Sequence, residues 1–149
     1  MDPQNATFFM ENAVRLIGEL REIDAAFVEV VESGARNTVI FGDRFPFAYF
    51  INTYGLTSYA AFDGCCAGTQ ASPATIAALI TRVQDEGIPV VFQIELSNGA
   101  IAQTIASETG AEILEFHSTH NVSRADFDAG VTYTELMWRN VDALRAALQ

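Results

Sequence analysis

The residues of this sequence best able to do chemistry are its only two histidines, His117 and His120. They lie in segment 116–121, directly after the apolar pair 113–114, on what we interpret as a loop leaving a strand. Two imidazoles at this spacing can turn toward one point, and imidazole is a common ligand for zinc near neutral pH. The spacing alone leaves open a second interpretation, in which both are polar loop residues that bond backbone groups.

The balance of charge favours a cation as the ligand. The 149-residue chain carries 19 acidic residues against 8 arginines and no lysine, giving a formal charge of −11. This charge argues against nucleic acid and against anionic lipid, both of which need a basic surface. Length and an apolar half of the composition suit one globular domain with its own core. No segment is apolar for long enough to span a bilayer, and the polar opening predicts that the chain as given has no signal sequence.

Hydrophobic periodicity predicts a long helix followed by alternating strands and helices. The first helix covers residues 4–32, with an apolar stripe at Leu16, Leu20, Ile23, Phe27 and Val30. Strands are predicted at 38–41, 57–62, 89–94 and 112–116. Helices are predicted at 45–54, from 72 to Gly87, from 98 to Gly110, and at 132–148, the last with a capping box at Thr132 and Glu135. A long loop is expected between the last strand and the last helix.

Strand–helix alternation with short connections predicts an α/β fold. We expect a four-stranded parallel sheet with helices on both faces, preceded by the long N-terminal helix. Gly34, Gly55, Gly87 and Gly110 each follow a predicted helix, where glycine takes the left-handed conformation without steric cost.

Several candidate ligands are expected at one edge of this sheet. In an open parallel sheet, ligands bind at the carboxyl ends of the strands. Asp43, Glu95, His117 and His120 all follow predicted strands, so they can share that edge and form a site for a borderline metal. Two alternatives stay open: Asp43 pairs with Arg44 to orient its loop, or Glu95 caps the helix that follows it.

Catalytic motifs give little support to an enzyme. The sequence has no nucleophile elbow, phosphate-binding glycine loop or dinucleotide fingerprint. Cys65 and Cys66 are adjacent, which disfavours a normal disulfide and predicts two free thiols. Cys65 and His117 could in principle form a nucleophile–base pair, although nothing in the sequence specifies that geometry.

Five segments together resemble a known family. They are residues 2–6, 42–50, 54–56, 105–111 and 132–148. The chain resembles the C-terminal lobe of the metal-binding (zinc/manganese) lipoproteins of bacterial ABC importers. The resemblance implies one lobe of a two-lobe, periplasmic-binding-protein-like fold. Residues 1–34 would be the lobe-spanning helix and residues 35–149 the metal-binding lobe.

The resemblance also implies a function without catalysis. The lobe would capture Zn²⁺, with Mn²⁺ as the other metal of the family, for delivery to an ABC permease. The partners would be that permease and the N-terminal lobe of the same protein, which this chain does not contain. The family is lipid-anchored at the extracellular face of the membrane or in the periplasm, and we expect this chain to lack the signal and the anchor.

Ligand residues follow from matching the family's segments. An ungapped count back from Tyr49 puts Arg44 at the third ligand position, but a guanidinium cannot bind a cation. We therefore favour Asp43 as the third ligand, which a one-residue insertion puts at that position. The fourth ligand falls at His117, where the family usually has aspartate, and this additional imidazole favours zinc over manganese. His120 has no counterpart and is a ligand or an outer-shell group, and Glu95 is an outer-shell partner that orients a histidine.

Two other classes of protein remain as alternatives. The first is a stand-alone flavodoxin-like enzyme, either a metal-dependent hydrolase or a thiol enzyme that uses Cys65. The second is an interaction module that binds another protein through exposed aromatic side chains.

Overall fold

The computed structural model describes residues 2–62 and 71–149, in which short strands alternate with α-helices. A 3-10 turn at Pro3–Asn5 leads into the first helix. The helices are α1 Ala6–Ser33, α2 Ala48–Tyr54, α3 Pro73–Glu86, α4 Ala100–Thr109, α5 Arg124–Ala129 and α6 Tyr133–Leu148. The strands are β1 Thr38–Phe41, β2 Thr57–Ala60, β3 Val90–Gln93 and β4 Glu112–Glu115.

The four strands form one parallel sheet in the order β2-β1-β3-β4. Thr38 aligns with Thr57, and Val90 aligns with Glu112. Connections therefore leave β1 toward β2 on one side and return across the sheet to β3 on the other. This order confirms the predicted α/β class, with its parallel sheet and its long first helix.

Alternating side chains of the central strands build a core on each face of the sheet. Val39 and Phe41 of β1 point to the face covered by α1, α2 and α6, and Phe92 of β3 does the same. Ile40 and Val91 point to the opposite face, which α3 and α4 cover. Both faces are therefore covered by helices, as the sequence predicts.

Local sequence signals set most helix ends. The Ser72 hydroxyl accepts the Thr75 N–H, and Thr132 with Glu135 forms the predicted capping box. Helix α2 begins at Ala48 rather than at residue 45, because Pro46 keeps the residue before it out of the helical region.

The region after β4 is not entirely a loop. Helix α5 begins after Ser123, whose hydroxyl accepts the Asp126 N–H. Six residues are too few for hydrophobic periodicity to reveal a helix, so the sequence analysis missed this element.

One of the four predicted left-handed glycines has a different reason to be glycine. Gly55, Gly87 and Gly110 have positive φ, as predicted, whereas Gly34 has φ −67°. A Cβ at Gly34 would lie 3.0 Å from the Cβ of Leu148, so this glycine lets the end of α1 approach the end of α6.

Only the C-terminal half of α1 packs on the rest of the described structure. Ile23, Phe27 and Val30 are buried in the core. The large apolar side chains of residues 8–20 are exposed: Phe8, Phe9, Met10, Val14, Leu16, Ile17 and Leu20. None of the described helices is both long enough and apolar enough to cross a bilayer.

Candidate metal centre

The residues that follow β1, β3 and β4 line one cavity of about 140 Å³ at the carboxyl edge of the sheet. Its lining consists of Arg44, Pro46, Ile94, Glu95, Leu96, Ser118, His120 and Asn121. The cavity lies where the connections reverse direction between β1 and β3, which is the usual ligand position in open α/β sheets. Its size suits an ion with a few waters rather than a larger organic ligand.

Asp43 does not line this cavity, but it bonds the backbone of two residues that do and so joins two loops. Its side chain is 5% exposed. Oδ1 accepts the Arg44 N–H at 2.7 Å, and Oδ2 accepts the Ile94 N–H at 3.3 Å. The carboxylate thus holds the end of β1 to the end of β3, at the point where these two strands separate. Among the described residues Asp43 forms no ion pair with the Arg44 guanidinium.

Glu95 holds the next loop in the same way. Its carboxylate is buried and accepts both the N–H and the hydroxyl of Ser118, the N–H at 2.7 Å. Burial alone raises the pKa of Glu95, but the two hydrogen bonds from Ser118, together with its own backbone N–H and nearby His117, outweigh burial, and the net pKa lies below its ordinary value. At the start of α4 the Ala100 N–H donates to Asn98 Oδ1, while the Glu95 carboxylate bonds Ser118, so Glu95 connects two loops rather than capping α4.

His117 is buried, and its ring is already engaged on one side. Its Nδ1 accepts the Thr119 N–H at 2.9 Å and lies 4.0 Å from Glu95 Oε2. An imidazole nitrogen that accepts a hydrogen bond carries no proton, so this bond assigns the proton of the neutral ring to Nε2. That Nε2 is buried and has no hydrogen-bond partner in the described part of the chain.

His120 is the exposed imidazole of the site. It lines the cavity described above and also a second one of about 470 Å³. The second cavity is lined by Thr119, His120, Asn121, Val122, Val131, Tyr133 and Leu136. Within residues 2–62 and 71–149, the ring of His120 makes no hydrogen bond, so both nitrogens are available. Thr119, which precedes it, has φ +60°, an uncommon conformation for a non-glycine residue and one often found at functional sites.

The structure brings the predicted residues to one edge of the sheet but not into one cluster. Arg44, Glu95 and His120 line the cavity, while Asp43 and His117 are buried at the same edge. No three His, Cys, Asp or Glu side chains in the described ranges are close enough to hold an ion together. The assignment of Asp43, His117 and His120 as metal ligands stays a prediction. Cys65 and Cys66 lie outside the described residues. The predicted free thiols and the pairing of Cys65 with His117 therefore stay predictions.

The sequence analysis missed Asn140, which is 2% exposed and bonds the backbone of His117. One signal was available. Asn140 lies four residues before Leu144, on the apolar stripe of α6, where an amide must find partners inside the protein.

Solved structures that share this fold define a class of metal-binding proteins. The metal-dependent lipoprotein YcdH of Bacillus subtilis is 25% identical with a TM-score of 0.81, over 99% of this chain and 55% of that one. The Zn(II)-bound ZnuA-like domain of Streptococcus pneumoniae AdcA is 25% identical with a TM-score of 0.76, over 98% of this chain and 54% of that one.

Residues 1–147 match the ZnuA family, described as zinc-uptake complex component A, periplasmic, and the chain belongs to that family. The high-affinity zinc uptake system protein ZnuA of Bacillus subtilis is 26% identical over 147 residues, 99% of this chain and 46% of that protein. The zinc-binding lipoprotein AdcA of Streptococcus pneumoniae strain R6 is 27% identical over 143 residues, 96% of this chain and 28% of that protein. The chain thus spans less than half the length of these curated relatives. Their names describe zinc uptake and zinc binding.

Proposed function

We propose that this chain is the metal-binding lobe of a solute-binding protein that captures Zn²⁺ for delivery to a membrane permease. Membership of the zinc-uptake family supports this function, and so does the polar cavity at the carboxyl edge of the sheet. The role is reversible binding without a catalytic step. The same family supports a site of action in the periplasm or, as a lipoprotein, at the outer face of the cell membrane.

One observation carries the proposal at the residue level. His120 presents an imidazole to the cavity, and neither ring nitrogen is used in a hydrogen bond with any described residue. Zinc binds neutral imidazole nitrogen readily, whereas manganese prefers oxygen ligands. His120 is therefore our first candidate for a metal ligand, and Zn²⁺ is favoured over Mn²⁺.

Asp43 and His117 are the other candidates for the ligand set. Each Asp43 oxygen accepts one N–H and keeps a second lone pair for a metal. His117 would bind through Nε2 only if its proton moved to Nδ1, which would then release the N–H of Thr119. Glu95 acts one shell further out, because its carboxylate holds Ser118 and so the loop that carries His120. Arg44, at the cavity wall, reduces the negative charge of this edge.

The site needs a second lobe to be complete. One imidazole and engaged carboxylates leave most coordination positions to water, so we expect this chain alone to bind zinc weakly. The exposed apolar N-terminal half of α1 offers a surface on which another lobe can pack. We therefore propose residues 1–34 as a lobe-spanning helix and residues 35–149 as one lobe.

Calorimetric titration with Zn²⁺ tests this function. We expect His120→Ala to weaken zinc binding by about tenfold or more, which corresponds to about 1.4 kcal/mol or more. Asn121→Ala is the matched control, since it changes the same cavity wall but removes no imidazole. Asp43→Ala and His117→Ala, titrated separately, show whether either residue joins the ligand set. A His120→Ala curve that overlays the unmodified chain contradicts the proposal.

A further inference from the structure

We propose that Asn140 is a positioning residue for the metal site, which fixes the backbone at His117 and thereby the place of His120. This inference rests on the proposed function, because it concerns the geometry of the loop that carries the candidate ligand. Asn140 belongs to α6, so the inference also assigns this helix a part in forming the site.

The carboxamide of Asn140 pairs with both backbone groups of one residue. Its Oδ1 accepts the His117 N–H at 2.7 Å, and its Nδ2 donates to the His117 carbonyl at 2.9 Å. Strand β4 is an edge strand that ends at Glu115, two residues earlier, so no neighbouring strand offers these two bonds. Asn140 supplies at this position what another strand would supply.

The bond to Asn140 is the first of a series along the loop. Each of four consecutive backbone N–H groups, those of residues 117–120, donates to a side chain. The acceptors are Asn140 Oδ1, Glu95 Oε2, His117 Nδ1 and Ser118 Oγ, in that order. Side chains rather than a β-ladder therefore set the shape of this loop, including the positive φ of Thr119.

Asn140 is the acceptor that ties this series to a helix. Glu95 belongs to the loop after β3, and the other two acceptors belong to the loop itself. Without the Asn140 carboxamide, the His117 N–H and carbonyl would both be buried and unpaired, and the chain would move to reach other partners. Because His120 follows three residues later, this movement would change its position relative to the cavity. A ligand displaced by about 1 Å from its productive position binds metal less well.

Substitutions at Asn140 distinguish a role in positioning the metal site from a role in the stability of the fold alone. Asn140→Leu keeps a similar volume but removes both bonds, and Asn140→Asp keeps the acceptor for the His117 N–H but loses the donor to its carbonyl. Val141→Ala is the control: it lies next in the same helix, is fully buried, and packs in the core on the α6 side of the sheet. All three are expected to lower the unfolding temperature.

The measurement is a calorimetric Zn²⁺ titration of each variant at a temperature at which it is folded by circular dichroism. We expect Asn140→Leu to bind zinc about 10 to 100 times more weakly than Val141→Ala, and Asn140→Asp to fall between them. Equal zinc affinity of Asn140→Leu and Val141→Ala overturns the inference. If Asn140→Leu does not fold, Asn140→Asp takes its place, and equality with Val141→Ala overturns the inference in the same way.

The His120→Ala titration distinguishes this failure from failure of the proposed function. If His120→Ala loses affinity while the Asn140 variants match Val141→Ala, the metal site stands and the role of Asn140 is wrong. If His120→Ala binds zinc as the unmodified chain does, the proposed function fails, and the positioning role fails with it.

Discussion

At the scale of single residues, the site is a set of buried polar side chains whose atoms are mostly in use. Asp43, Glu95 and His117 each accept at least one backbone N–H, whereas His120 remains free at the surface. The sequence predicted the shared edge correctly, because parallel strands bring their carboxyl ends together. It could not predict which oxygen or nitrogen atoms are engaged, since that depends on the conformations of three loops.

The lowered pKa of Glu95 predicts a specific loss of stability in acid. A carboxyl group whose folded pKa lies below its ordinary value of 4.5 stabilises the fold above pH 4.5. This contribution decreases as the pH falls from there through the folded pKa. Glu95→Gln does not titrate, so we expect it to be less stable than the unmodified chain at pH 7 and to approach it in stability as the pH falls toward 3. Urea unfolding at several pH values measures the difference, and a difference that does not change with pH contradicts this role of Glu95.

At the scale of elements, the sequence predicted helix caps correctly but did not reveal contacts between residues that are distant in the chain. Caps at Ser72 and Thr132 act by hydrogen bonds between near neighbours, so they could be recognised in the sequence. The requirement for Gly34 depends on Leu148, which is distant in sequence and near only after folding. Asn140 is a similar case, because its partner His117 belongs to a different element.

Gly42 provides a test of close packing at the end of β1. A Cβ at this position would lie 2.5 Å from the Cα of Ala102 in α4, and backbone cannot move aside as a flexible side chain can. We expect Gly42→Ala to lower the free energy of unfolding by about 1–3 kcal/mol. Gly18→Ala is the control, since Gly18 lies within α1 with open space around it, and there we expect a gain of about 0.5–1 kcal/mol. Equal effects at the two glycines in denaturant unfolding would show that α4 does not approach β1 this closely.

At the scale of the whole molecule, α1 belongs to the packed domain over half of its length only. The sequence predicted one continuous stripe on this helix, and the structure buries its C-terminal part while leaving Leu16 and Leu20 46% and 37% exposed. Periodicity indicates which face of a helix is apolar but not what covers that face. In the two-lobe protein that we propose, the second lobe would cover this part of the helix.

Two phenylalanines of α1 test this division. Phe9 is 56% exposed and Phe27 is 3% exposed. In this chain we expect Phe9→Ser to change the free energy of unfolding by no more than about 0.5 kcal/mol. Phe27→Ala should cost about 3–5 kcal/mol, because it leaves a cavity in the core. Guanidinium unfolding of the two variants gives both values, and a comparable loss at Phe9 would mean that the N-terminal half of α1 is packed after all.

The position of a bound zinc ion tests the central claim most directly. Anomalous diffraction at the zinc edge, from crystals of this chain soaked in Zn²⁺, would locate the metal without reference to affinity. We predict a peak in the cavity at the carboxyl edge of the sheet, about 2.0–2.1 Å from a ring nitrogen of His120. Zinc found only on acidic surface residues remote from His120, with that cavity empty, would contradict the account.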